Sequence, residues 1–174
     1  MPGALLLAML STLIFDYAAR QKIGGTHASI GYVKQFPVIP PEQIPDEWVK
    51  EIVPRVLELT HFNHDMDGWA REIGEEWDAL REEKHPDWPE LQWQEPVRFD
   101  PERRAVLQAE LDAIFAHLYG LNEEDLRYIL DPEDVCGPGC INQTFRVLKD
   151  RELRELGEYR TRRLVLSAWH RFHF

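Results

Sequence analysis

Residues 37–45, PVIPPEQIP, hold four prolines, and no other stretch restricts the backbone of this chain so strongly. Each proline lacks an amide donor and fixes φ, so the segment cannot be a regular element and must run as an extended connector. It divides the chain into a short part, residues 1–41, and a long part, residues 42–174. Three more prolines interrupt residues 85–99, HPDWPELQWQEPVRF, which therefore read as a loop.

Between these breaks the apolar spacing is helical. From Asp46 to about Leu59, Val49, Ile52, Val53, Val56 and Leu57 form one stripe. Asp46 is the expected N-cap, and Pro54 removes a donor from the interior and predicts a kink. Residues 65–84 predict a second, acidic helix carrying Trp69 and Trp77. A third begins with Asp100 as N-cap and Pro101 at the first helical position, with Leu107, Leu111, Ile114 and Leu118 on its stripe. Gly120 stops it, and Asn122 caps the short helix of NEEDLRYIL. Residues 131–141, DPEDVCGPGCI, read as a turn-rich loop. The last helical region runs from about Asn142 to Trp169, with Gly157 the candidate break.

The start of the chain is different. From about Ala4 to Ala19 it is apolar nearly all round, which predicts one helix buried on several sides. No Lys or Arg precedes Leu5 and no small-residue cleavage site stands out, so a buried helix is preferred to a secretory signal. Gly24-Gly25 is expected to end this helix through positive φ. Ile30, Tyr32 and Phe36, with Val33 and Val38 opposite, suggest short strands. The expected fold class is mainly α (α+β): a bundle-like helical C-terminal region with a small β element near residues 28–39.

The 174 residues carry 20 Lys plus Arg against 31 Asp plus Glu, a formal charge of −11, which argues against a nonspecific DNA coat. The charge is unevenly placed, with nets of +2 over residues 1–41, −17 over 42–141 and +4 over 142–174. Whole-chain acidity therefore hides any local anion-binding surface. Two cysteines make no disulfide scaffold and fit a reducing, cytoplasmic compartment. No apolar run approaches the roughly 18–20 residues of a bilayer-crossing helix, so no membrane is expected.

Few motifs carry chemistry. Cys136 and Cys140 in CGPGC lack a second ligand pair, so a glycine–proline turn with two thiols is preferred to a metal site. His61, His64, Asp65 and Asp67 in HFNHDMD lie between two helices, where His and Asp serve as ordinary caps. The helix pair around AHLYGLNEEDLRYIL has a helix–turn–helix outline, but Glu123, Glu124 and Asp125 would repel DNA, and a packing hairpin is the better reading. No phosphate loop, dinucleotide motif, zincin motif or nucleophile elbow is present, so no catalytic residue and no metal ligand is assigned. ARQKIGGTH differs in kind. Arg20 and Lys22 end a helix beside Gly24, Gly25, Thr26 and His27, with Lys34 and Gln35 following, and such groups read phosphates and base edges. By spacing alone, a helix C-terminus whose cations complement the dipole is an equal reading.

Three phrases, in the same order, resemble one family. LSTLIFDYAARQKIGGTHASIGYVKQFPVIPPEQIP is similar to the end of the target-recognition region of adenine-specific (N6) DNA methyltransferases of the type IIG-like and phage-defence kind. FDPERRAVLQAELDAIFAHLYGLNEEDLRYILD and GEYRTRRLVLSAW resemble the helical C-terminal tail of the same proteins. Residues 60–99 and 131–156 match less clearly. The resemblance implies methyl transfer from S-adenosylmethionine to a flipped adenine in double-stranded DNA. It assigns residues 1–41 to the end of the target-recognition region and 42–174 to the helical C-terminal region.

This chain lacks the cofactor-binding glycines and the [DNS]PP[YF] motif, since Pro40-Pro41 is flanked by Ile39 and Glu42. No pocket for a flipped base is encoded, so catalysis and S-adenosylmethionine are expected on a separate catalytic domain or subunit. Arg20, Lys22, Gly24, Gly25, Thr26, His27 and Lys34 match the family's DNA-side segment. Tyr159, Arg160, Arg162 and Arg163 match the tail phrase, where the arginines bind phosphate or pack against the acidic middle, packing being slightly preferred. The competing expectation is an acidic, Trp-rich protein-interaction module that no longer touches DNA.

Overall fold

A computed structural model describes residues 1–23, 25, 28–140 and 143–172. They form helices α1 (Pro2–Leu10), α2 (Leu13–Lys22), α3 (Ile30–Val33), α4 (Asp46–Thr60), α5 (Asp67–Glu83), α6 (Pro101–Leu118), α7 (Glu123–Leu130), α8 (Glu133–Cys136), α9 (Arg146–Leu156) and α10 (Arg160–Arg171). Short 3₁₀ turns lie at Pro41–Gln43 and His64–Met66. The fold is mainly α, and among the described residues there is no strand.

The small β element expected near residues 28–39 is thus replaced by α3. The carbonyl of Ser29 accepts from Tyr32 N (2.9 Å) and Val33 N (3.1 Å), and Ile30 accepts from Lys34 N (3.1 Å). A strand must pair its backbone groups with a neighbour, whereas one helical turn pairs them locally. The alternation of apolar residues here marks exposure rather than a half-buried sheet, since Ile30 is 72% exposed.

The chain forms two compact units, one from residues 1–9 and 39–107, the other from 10–38 and 108–174. In the first, Val49, Ile52, Val53, Val56 and Leu57 of α4 are buried as their spacing predicts. Asp46 is the first helical residue rather than the N-cap. Pro45 precedes it, and the Asp46 carboxylate lies 3.1 Å from His85 Nε2. Asp100 does cap α6, accepting from Glu102 N (2.9 Å) and Arg103 N (3.2 Å).

Residues 85–99 are strapped to α5 through indole and guanidinium donors. Trp77 Nε1 donates to Pro89 O (2.9 Å), Arg81 Nε to Trp88 O (2.8 Å), and Trp93 Nε1 to Asp78 Oδ2 (3.0 Å). A proline-rich loop has few backbone donors of its own, so side chains on the helix do the anchoring. Gly74 makes room for this strap, because a Cβ there would lie 2.2 Å from the Trp93 ring.

In the second unit every residue of α6 from Ala109 to Ala116 is buried. The apolar start expected as one helix from Ala4 to Ala19 breaks at Ser11 and Thr12. Thr12 caps α2, its hydroxyl accepting from Phe15 N (3.3 Å), and Asp112 Oδ1 accepts from Leu13 N (2.6 Å). Two N-terminal donors that a continuous helix would have used internally thus find side-chain oxygens. Nor is α1 covered all round: Ala4, Leu5, Ala8 and Met9 are buried, while Leu6, Leu7 and Leu10 are exposed. Among the described residues no single helix is long and apolar enough to cross a membrane. Helices α1 and α2 meet that test only when counted together across the break between them.

Local stop signals act where the sequence places them. Asn122 and Asp125 form a reciprocal capping box at α7. Gly120 (φ 69°) follows α6, and Gly157 (φ 75°) closes α9 before α10.

Two outcomes test this packing. Gly74→Ala should lower stability by roughly 1–3 kcal/mol, because the indole must leave its seat, and chemical denaturation will measure the loss. Burial raises the Asp112 carboxyl from its ordinary value of 3.8 to about 7. The folded state therefore holds this proton more tightly than the unfolded chain, so its stabilisation is complete below pH 3.8 and fades as pH rises through about 7. Asp112→Asn should flatten that decline, with denaturation midpoints at pH 5 and pH 8 drawing together on the order of a few kcal/mol.

Candidate nucleic-acid interface

Helix α2 delivers the candidate DNA-side residues. Its last turn carries Arg20 and Lys22, cations at the end where the helix dipole favours them. Arg20 Nε sits 2.9 Å from Asp16 Oδ1, one turn back, and its guanidinium lies 5.9 Å from the centre of the Phe145 ring. The hydrogen bond that Arg20 donates to Asp16 raises its pKa. Gln21 Nε2 lies 3.5 Å from Thr144 Oγ1. Thr144 and Phe145 therefore adjoin the end of α2, a neighbourhood that no spacing in the sequence announces.

The last helical residue of α2 is Lys22. Ile23 closes it with extended backbone (φ −95°), its N–H bonded to Ala19 O (3.0 Å). Gly25 is exposed. Gly24, Thr26 and His27 lie outside the described residues.

The segment that follows is anchored at its far end. Phe36 meets the Phe15 ring edge-on at 5.5 Å, and the Tyr119 hydroxyl donates to Pro37 O (2.6 Å). Burial pushes that phenol up to about 12. Between the anchor and α2, Ile30, Tyr32, Val33 and Lys34 stand exposed. Gln35 uses its amide locally, donating to Gly31 O (2.9 Å). Among the described residues no carboxylate pairs with Lys22, Lys34 or Arg151, which leaves three exposed cations available in this unit.

The tail arginines are placed differently. Arg162 pairs with Asp134, which also accepts from Arg127 Nε (2.6 Å). The hydrogen bond from Arg127 is the main cause holding Asp134 below its ordinary value. Arg163 forms a two-point pair with Glu158 (2.8 and 2.9 Å), and Arg160 is half-buried. Tyr159 is buried, with its hydroxyl 3.3 Å from Leu130 O. Buried Glu152 accepts from Thr161 N (2.8 Å) and Thr161 Oγ1 (2.7 Å), satisfying a first-turn donor of α10. Arg162 and Arg163 thus each have a carboxylate partner within the chain.

The other motifs keep to local roles. His61 is buried, with Nε2 2.9 Å from Asp67 Oδ1, and His64 Nδ1 lies 3.2 Å from Asp67 Oδ2. The His61 contact is the main cause lowering the Asp67 pKa. No group of metal-ligating side chains is found among the described residues. Helix α7 buries Leu126, Ile129 and Leu130 and leaves Glu123, Glu124 and Asp125 exposed, as a packing helix should.

Arg162→Ala should therefore act on stability. Removing one of the two cations at Asp134 is expected to cost about 1–3 kcal/mol, read as a lowered melting temperature, with DNA affinity per folded molecule unchanged. A lost salt dependence at full stability would place Arg162 on the nucleic acid instead. No protein-family model, curated protein or solved structure matches this chain.

Proposed function

We propose that this chain is the DNA-recognition and structural C-terminal module of an adenine-specific (N6) DNA methyltransferase from a restriction–modification or phage-defence system. Its role is to contact double-stranded DNA and to assemble with a catalytic domain or subunit that binds S-adenosylmethionine. The observation that carries this reading is the ordered series of three phrases resembling that family, together with the missing cofactor glycines and base-pocket motif. The placement of charge supports it. The unit built from residues 10–38 and 108–174 contains both resembling basic segments and carries 12 basic against 13 acidic side chains. The other unit carries 8 against 18. Phosphate contact needs local positive charge, and exposed Lys22 and Lys34 supply it.

That second ratio also favours one competing reading, an acidic protein-interaction module without DNA. Salt dependence separates the two. Duplex affinity of the chain should fall linearly with the logarithm of salt concentration, and Lys22→Ala with Lys34→Ala should reduce the slope by roughly 2. An unchanged slope, or no binding at low salt, would favour the interaction module.

A further inference from the structure

The loop after α8 holds the two cysteines of the chain side by side. Cys136 is exposed at the last position of α8, Cys140 is half-buried, and the Cys140 thiol stands near enough to raise the Cys136 pKa. The turn between them is built for this approach. Gly137 (φ 84°) and Gly139 (φ 88°) adopt backbone that side chains rarely take, with Pro138 fixing the residue between. The approach is also held from outside the turn. Glu133 Oε1 accepts from Gln143 Nε2 (2.8 Å) and faces Gly139 N (3.4 Å), while Lys149 Nζ holds Glu133 Oε2 (3.0 Å). Gln143 Nε2 also meets Cys140 O (3.2 Å). The ordering entropy of a short ring is thus spent in the reduced fold, which gives the thiols a high effective concentration toward each other.

We infer that Cys136 and Cys140 form a reversible dithiol site, oxidised to an intramolecular disulfide by low-molecular-weight disulfides. The thiolate of exposed Cys136 attacks the incoming disulfide, forming a mixed disulfide and expelling one small thiolate. The thiolate of Cys140 then attacks the Cys136 sulfur and expels the second. The protein dithiol loses two electrons, the small disulfide gains them, and the two protons leave on the two small thiols. The nearby Cys140 thiol raises the Cys136 thiol above its ordinary value, so the first step quickens as pH rises.

The full chain can be equilibrated over a series of ratios of reduced to oxidised glutathione, quenched with an alkylating reagent and weighed intact. The expected result is one transition, independent of protein concentration, from doubly alkylated chain to unalkylated chain two hydrogens lighter. Cys140→Ser should stop instead at a stable glutathione adduct on Cys136. Gly137→Ala with Gly139→Ala meets no steric obstacle, since a Cβ at either position touches nothing. It should still shift the transition roughly tenfold or more toward the reduced form, because the backbone becomes strained. Glutathione retained on both cysteines, crosslinks only between chains, or double alkylation at every ratio would overturn the site.

Discussion

Helix α6 passes through the second unit with Ala109 to Ala116 all buried, and Asp112 lies in the middle of that run. A carboxylate in such a place must find a donor or give up its charge. It does some of both: Leu13 N–H reaches it at 2.6 Å, and burial still raises it to about 7. That bond also sets where α2 begins. The start of α2 in turn places Phe15 against Phe36 and carries Arg20 and Lys22 to its end. One buried acid on α6 is thereby tied to the orientation of the candidate DNA-side segment.

Most helices were legible because their signals are local. The stripe of Val49, Ile52, Val53, Val56 and Leu57, the Asp100-Pro101 start, the Asn122 cap and the break at Gly157 depend on neighbours within a few residues. The errors came where a partner distant in sequence decides. The break at Thr12 rests partly on Asp112, 99 positions from its Leu13 partner. Exposure of Ile30 and Tyr32 overrides their alternation, because among the described residues no second strand lies alongside to accept their backbone groups.

The candidate site was legible to a similar degree. Spacing picked out Arg20, Lys22 and Lys34, but could not tell that Arg20 is engaged by Asp16 and Phe145 while Lys22 and Lys34 stand exposed. Likewise, the cluster Arg160, Arg162 and Arg163 reads as a basic patch in one dimension. Asp134 and Glu158 neutralise two of its members in three. Charge on a sequence counts residues, whereas recognition uses only what folding leaves unpaired.

On the proposed function, duplex DNA meets this protein on the segment from α2 through α3. Photochemical crosslinking of the chain to a short duplex at low salt, followed by mapping of the modified peptides, addresses it most directly. Crosslinks should concentrate within residues 17–36 and be absent from the acidic stretch 60–99. Crosslinks spread over that stretch, or none above background anywhere, would contradict it.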